Sequence, residues 1–460
     1  MRTQYLQRML IGLGLTMVLA APWASATNYY VVASSHQPSP TWPWTNWGWA
    51  HTNLIEVVAV ARDNDTVYVT NNATYWLTNQ ITVSYAITVR SWGPGGILDP
   101  TDTILSGRYP NAINRHFTLN NAGAILAGLT LTKGYASGGG AIYLQNGMVT
   151  NCIIVSNVTY SSVGGGVYMT DYSGGVWNCT ISGNWASNTT GNAGGIYVAD
   201  GGGPWWIANC TISGNSTGYG CEGGGIDARR NTVISNCWIV SNVGSYSSGG
   251  IRLATGTVCC SSFIIGNSAV GYPGASIGGG IRTFHNGTLI RNCLIANNYA
   301  VGKGGAIQAN HDVKIQNCTI ASNVTLGNGG GFDFSGNAGF PAIENTIMWG
   351  NRAGADGSGT SSNYYITVGA STFTNCCTSP QIVSANATAV NTITNDPRFV
   401  NNATDFRLQS DSPCINAGVN RGWMEGVRDL YGYRRIDDFR KTVDIGAYEY
   451  LSPGTVFIGH

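Results

Sequence analysis

From about residue 111 onward, apolar and polar positions alternate in short runs that Gly, Asn and Ser interrupt. A period of two predicts strands with one buried face, and the interrupting residues supply turns. One run, Asn151-Cys152-Ile153-Ile154-Val155-Ser156-Asn157, returns as Asn178-Cys179-Thr180-Ile181-Ser182-Gly183-Asn184. It returns again from Asn209, Asn236, Asn292 and Asn317, and in weaker form over 261–267 and 345–351. Between the copies runs a second motif, two or three glycines followed by an apolar residue: Ile142, Val167, Ile196, Ile226, Ile251, Ile281, Ile307 and Phe332 close it in turn. The interval is 25 to 31 residues, and a period of that size is the signature of a solenoid.

Each unit reads as strand, turn, strand. Cys and the Ile two places on point the same way, because strand side chains alternate; both are apolar, so that side is the core. The closing Asn is expected to take left-handed backbone, and the glycines to supply positive φ at another corner. Stacked units give columns of Ile, columns of Cys and a ladder of Asn. The expected fold class is all-β, a right-handed parallel β-helix of about ten coils of roughly 27 residues. Glycine at this density excludes a helical solenoid.

An open solenoid end exposes both core and strand edge, so each end needs a cover. Leu54, Val57, Val58 and Ala61 place an amphipathic helix over 49–62, leading into a strand over 65–69. Trp42, Trp44, Trp47 and Trp49 are expected to pack against that cap, with a glycan-stacking platform as the alternative.

Composition fits this picture. Charged residues make up 10% of the chain and 64 residues are Gly. A net charge of +1 and the lack of a basic stripe argue against nucleic acid as a partner. Arg2 and Arg8, the apolar run 9–21 and Ala24-Ser25-Ala26 read as a signal peptide cleaved after Ala26. The apolar run is too short to span a bilayer, so no transmembrane segment is expected in the mature chain. In a secreted protein, 12 cysteines suggest disulfides. Six of them, Cys152, Cys179, Cys210, Cys237, Cys293 and Cys318, instead share one inward slot with Ser262 and Thr346. A buried free-thiol ladder is expected there, with disulfides between neighbouring coils as the alternative. Cys221, Cys259, Cys260, Cys377 and Cys414 lie off the slot and are better disulfide candidates.

The alternation of the Gly motif with a short strand ending in Asn resembles the repeats of polymorphic outer-membrane autotransporter passengers. More broadly it resembles the pectin-lyase-like right-handed β-helix superfamily. Asp396-Pro397-Arg398-Phe399, Phe406-Arg407-Leu408 and Ser412-Pro413-Cys414-Ile415-Asn416-Ala417-Gly418 resemble the opening of the choice-of-anchor Q domain. Asp429-Leu430-Tyr431-Gly432, Arg435 and Asp444-Ile445-Gly446-Ala447-Tyr448-Glu449 match its remainder. The resulting organisation is a signal peptide at 1–26, an N-terminal cap and first coils at 27–110, and repeats at 111–390. A choice-of-anchor Q-like capping segment follows at 391–450, and a tail at 451–460. The resemblance implies fold and an extracellular or cell-surface location, without fixing an activity. No apolar or basic tail follows the last segment, so release and an anchor beyond this sequence both stay open.

Candidate chemistry collects on one face. The residue after each Ile or its substitute faces outward, and that column reads Tyr143, Tyr168, Tyr197, Asp227, Arg252, Arg282, Gln308, Asp333. Asp171, Asp200, Arg229, Arg230, His285, His311 and Asp312 follow within a few positions of it, whereas the rest of 135–350 holds only Glu222, Arg291, Lys303, Lys314 and Glu344. This is either a solvated face or a polysaccharide groove, with tyrosines for sugar stacking and arginines for carboxylate or sulfate groups. Arg252 and Arg282 are expected on adjacent rungs with only Asp227 beside them, two cations without an opposing pair. The ligand-binding candidates are therefore Tyr143, Tyr168, Tyr197, Asp227, Arg229, Arg252 and Arg282. The function expected is binding of an acidic polysaccharide or cell-surface glycan without catalysis. One alternative is a lyase for uronate-containing glycans using Arg252, Arg282 and His285; another is a purely structural surface protein. No cofactor is required, although Asp171 and Asp200, in one slot on adjacent rungs, could hold Ca²⁺ unless Arg230 neutralises Asp200. Asp429, Arg435, Asp444 and Glu449 are expected to be structural.

Overall fold

The computed structural model describes residues 26–451 apart from 34–39, 162, 188, 190, 191, 272–275, 338, 355–361 and 437–440. The signal peptide and tail expected at the two termini fall outside the described residues, save for Ala26 and Leu451.

Each coil from Ile142 to Ala353 has four short strands where the sequence pattern predicts two. In the coil that begins at Ile142 they are Ile142–Leu144, Gly147–Thr150, Ile153–Val155 and Val158–Thr159. A strand of two residues is too short to show alternation, and the second stretch has no recurring motif, reading Gly147-Met148-Val149-Thr150 in one coil and Trp205-Trp206-Ile207-Ala208 in another. Every strand pairs in parallel with its counterpart one coil on. Among the described residues the stacks form sheets of 11, 14, 12 and 9 strands, called here the Ile, long, Cys and narrow sheets. The chain is a parallel β-helix of about 11 turns, as the 11 rungs of the Ile sheet show.

The columns fall where the alternation puts them. Ile142, Ile196, Ile226, Ile251, Ile281 and Ile307 are each 0% exposed. The six slot cysteines are buried, and no disulfide joins any of the twelve cysteines, the five off-slot candidates included. The slot is not purely apolar. Cys152 N donates to Cys179 Sγ at 3.4 Å, Cys179 N to Cys210 Sγ at 3.5 Å, and Cys237 N to Ser262 Oγ at 3.1 Å. Every rung needs an acceptor for the N–H of the rung before, which explains why Ser and Thr substitute for Cys there. Cys376 is a further buried member; the pattern missed it because Thr378 stands where the Ile of the motif belongs.

The closing Asn forms the expected ladder: Asn157 N donates to Asn184 Oδ1 at 3.0 Å, Asn184 N to Asn215 Oδ1 at 3.0 Å, and Asn215 N to Asn242 Oδ1 at 3.0 Å. The left-handed backbone sits elsewhere, at the opening Asn (Asn151 φ 52°, Asn178 φ 52°) and at the residue before the closing one (Ser156 φ 56°, Gly183 φ 58°). Of the residues leading to the Ile column, the third one back takes positive φ, as in Gly164 at 70°, with Ala193 at 61° and Ser248 at 52° in the same place. The second is glycine for lack of room: a Cβ on Gly165 would stand 2.4 Å from Gly194 O of the next coil.

At the N-terminus the helix is Leu54–Val60, shorter than expected, with Leu54, Val57 and Val58 buried. Trp47 meets Tyr30 at 4.4 Å and Trp92 at 5.9 Å between ring centroids, and Trp44 packs against the core, whereas Trp42 and Trp49 are 61% and 46% exposed; only the inner members of the Trp cluster are packed. At the other end the capping segment lies along the flank. Phe399, Phe406, Leu408, Cys414, Ile445 and Tyr448 bury the outward side of the Cys sheet at Leu294, Ala321, Ile347 and Cys377. Arg435, buried, pairs with Glu449 at 2.8 Å, and Asp429 accepts backbone N–H groups from Tyr431, Tyr433 and Glu449; these residues are structural. Among the described residues no helix is long and apolar enough to cross a membrane.

Candidate functional site

The outward column of the Ile sheet is continuous in register from Thr118 through Tyr143, Tyr168, Tyr197, Asp227, Arg252, Arg282, Gln308 and Asp333. The structure therefore brings the expected residues together on one line, rung by rung. Tyr143 and Tyr168 stand 5.1 Å apart and Tyr168 and Tyr197 5.4 Å apart between centroids, both edge-to-face at 64°. A cation closes each end of this row: Arg115 lies 5.1 Å from the Tyr143 ring and Arg229 lies 5.3 Å from Tyr197. Tyr143 and Tyr168 keep part of their surface in solvent, whereas Tyr197 is buried beneath Arg229.

Beyond Tyr197 the column enters a cluster of ions shielded from water. Asp227 is 0% exposed, and Arg252 and Arg282 are 5% and 7% exposed. Both guanidinium groups lie over Phe284, at 4.6 and 4.8 Å from its ring centre. Here the structure corrects the expectation of two unopposed cations. Glu222, on the loop ahead of Ile226, places Oε2 2.8 Å from Arg252 Nε and Oε1 2.8 Å from Arg282 Nη1. Asp227 receives Arg252 at 3.1 Å and Arg229 at 3.3 Å. With Asp200 3.8 Å from Arg229, three carboxylates face three arginines. Glu222 falls outside the outward column, and its partner Arg282 is 60 residues on, so local pattern gave no sign of it.

Burial, partly offset by Arg252 and Arg229, raises the Asp227 carboxyl above its ordinary range. Burial lowers Arg282, with Glu222 opposing that shift. His285, at the rim, meets Phe284 edge-on at 4.7 Å and stacks near His311 at 5.9 Å; partial burial, then His311 and Arg252, hold its pKa below the usual value. Beside the Asp171 and Asp200 pair, Gln145 Nε2 donates to Asp171 Oδ2 at 2.7 Å, and Asp200 faces Arg229 at 3.8 Å in place of the expected Arg230. Among the described residues no group of three or more His, Cys, Asp or Glu side chains is arranged to hold a metal ion.

Residues 115–271 match the family described as the right handed beta helix region. No curated protein matches the chain. Among solved structures, the pectate lyase Pel9A is similar at 14% identity and a TM-score of 0.47, over 92% of this chain and 97% of that one. An alginate lyase from Paenibacillus sp. str. FPU-7 is similar at 17% identity and a TM-score of 0.36, over 69% and 95% of the two chains. A mannuronic acid specific polysaccharide family 6 lyase from human gut microbiota is similar at 10% identity and a TM-score of 0.37, over 80% and 92%.

Proposed function

We propose that this right-handed β-helix repeat protein, secreted or displayed at the cell surface, binds an acidic polysaccharide along the outward face of its Ile sheet. One observation carries the proposal: a row of stacked tyrosines runs, in register and without a break, into a cluster of buried arginines and carboxylates. Aromatic rings with partly solvated edges are surfaces on which sugar rings stack. Buried ion clusters are poor stabilisers, because desolvation offsets most of the Coulombic gain, and desolvated charges collected on one outward face favour a site. At a rung spacing of about 4.8 Å the row and the cluster together span roughly 24 Å, long enough for several sugar units. Arg115 and Arg229 flank the row and supply cations for carboxylate or sulfate groups.

A glycan array probed with the mature protein tests this. Retention of uronate or sulfated glycans, weakening as salt rises, supports the proposal; retention of neutral glycans alone, or of none, overturns it. A lyase is the second reading, favoured by His285. Held below its ordinary pKa and close to Arg252, it is a neutral base at pH 7, as proton abstraction requires. Appearance of the ultraviolet absorbance of unsaturated uronates on incubation with bound glycans would establish that reading over binding alone.

A further inference from the structure

Arg252 and Arg282 are direct register partners on adjacent strands, and both lie on the same phenyl ring. Two guanidinium groups held this close in a site of low polarity repel strongly. An anion must sit between them, and Glu222 supplies it. The fit is incomplete. Arg252 Nε is 2.8 Å from Glu222 Oε2 yet is not aligned to donate a hydrogen bond to it, and Arg282 Nε has no partner either. Glu222 thus balances the charge and leaves two buried N–H donors unused, each a group whose desolvation is uncompensated. The Glu222 backbone is fixed, since its carbonyl accepts from Ala193 N at 2.8 Å and its N–H donates to Asn192 Oδ1 at 3.0 Å. Its side chain keeps 16% of its surface exposed and is the part that can swing away.

We infer that Arg252 and Arg282 form a carboxylate seat for a uronic-acid unit of the bound glycan, and that Glu222 is its resident occupant, displaced when the ligand enters. A carboxylate arriving along the groove is free to orient toward both Nε–H donors, which Glu222, tethered by its own backbone, does not do. Asp227 stays in place as the partner of Arg252 and Arg229, so removing Glu222 alone leaves a seat with one net positive charge. The identity of the occupant as a sugar rests on the glycan reading above; the seat itself does not.

The test compares wild type with Glu222→Ala, and with Glu222→Gln in case the alanine variant fails to fold. Melting temperature is followed in acetate and in chloride at equal ionic strength, then with galacturonate and with galactose. Without carboxylate the variant melts below wild type, and acetate restores it more than chloride does. Galacturonate binds the variant about ten-fold or more tightly than wild type, a difference of about 1.4 kcal/mol, and galactose binds the two alike. If acetate and chloride act identically on the folded variant, Glu222 is a plain structural ion pair and the seat is refuted. If acetate restores stability and galacturonate has no effect, the seat stands and the polysaccharide reading falls.

Discussion

Asp333 shows how one buried polar atom can govern a measurable property. Its Oδ1 accepts from Ser335 Oγ at 2.9 Å, while its Oδ2 and, on the neighbouring rung, Gln308 Oε1 are both buried without a partner. The Gln308 amide nitrogen donates to Ala309 O at 3.1 Å and Asn310 Oδ1 at 2.8 Å. A proton on Asp333 Oδ2 would satisfy both orphaned oxygens. Burial, opposed by the Ser335 hydrogen bond and by Lys303, pushes the Asp333 pKa up to about 6; Tyr365 occupies the next rung. An unfolded Asp titrates near ~3.9. Between those values the folded chain holds a proton that the unfolded chain has released, so stability falls as pH rises through the window and stays lower above it. Asp333→Asn, which carries its own N–H donor, is expected to stabilise the protein by on the order of 2 kcal/mol at pH 8 and by little at pH 4. Thermal melts at the two pH values measure this, and a gap that does not widen with pH would remove the explanation.

At the scale of one coil, the sequence was legible wherever a property repeats. The Ile column, the Cys slot and the closing Asn ladder recur from coil to coil, so alternation alone sorts them inward. The narrow sheet was not legible, because its strands, such as Val158–Thr159, are too short to carry a period. Glu222 was not legible for a different reason: its partners are set by coil stacking, far along the chain. The slot's polar function, by contrast, was present in the sequence as Ser262 and Thr346. Ser262 accepts from Cys237 N and donates to Cys260 O at 2.8 Å, and Cys210 plays the same double part toward Cys179 N and Ala208 O. Cys210→Ser should therefore be less destabilising than Cys210→Val by about 1 kcal/mol, since valine strands the buried Cys179 N–H. Chemical denaturation of the pair decides it; the reverse order would show the slot to be merely apolar. The ladder also needs its thiols unlinked. Stacked rungs sit about 4.8 Å apart, longer than the ~3.8 Å between β-carbons of a relaxed disulfide. Peptide mapping without reductant is expected to recover the slot cysteines as free thiols, and slot-to-slot disulfides would contradict this.

The whole molecule divides its faces between stability and recognition. The Cys sheet is covered on its outward side by the C-terminal segment, whose Phe399, Phe406 and Ile445 lie over Leu294 and Ile347. Removing 391–460 bares that apolar strip, and the truncated chain is expected to melt lower and self-associate in light scattering. A monomer of unchanged melting temperature would show the segment to be dispensable. The Ile sheet is the opposite case, its outward column being polar, aromatic and aligned with the solenoid axis. The claim that a polysaccharide lies along it is tested most directly by equilibrium binding of an acidic oligosaccharide to wild type and to the Tyr143→Ala, Tyr168→Ala double variant. Both rings retain solvent-facing surface, so the fold should keep its melting temperature while affinity falls about ten-fold or more. Undiminished affinity in the folded double variant would contradict the account.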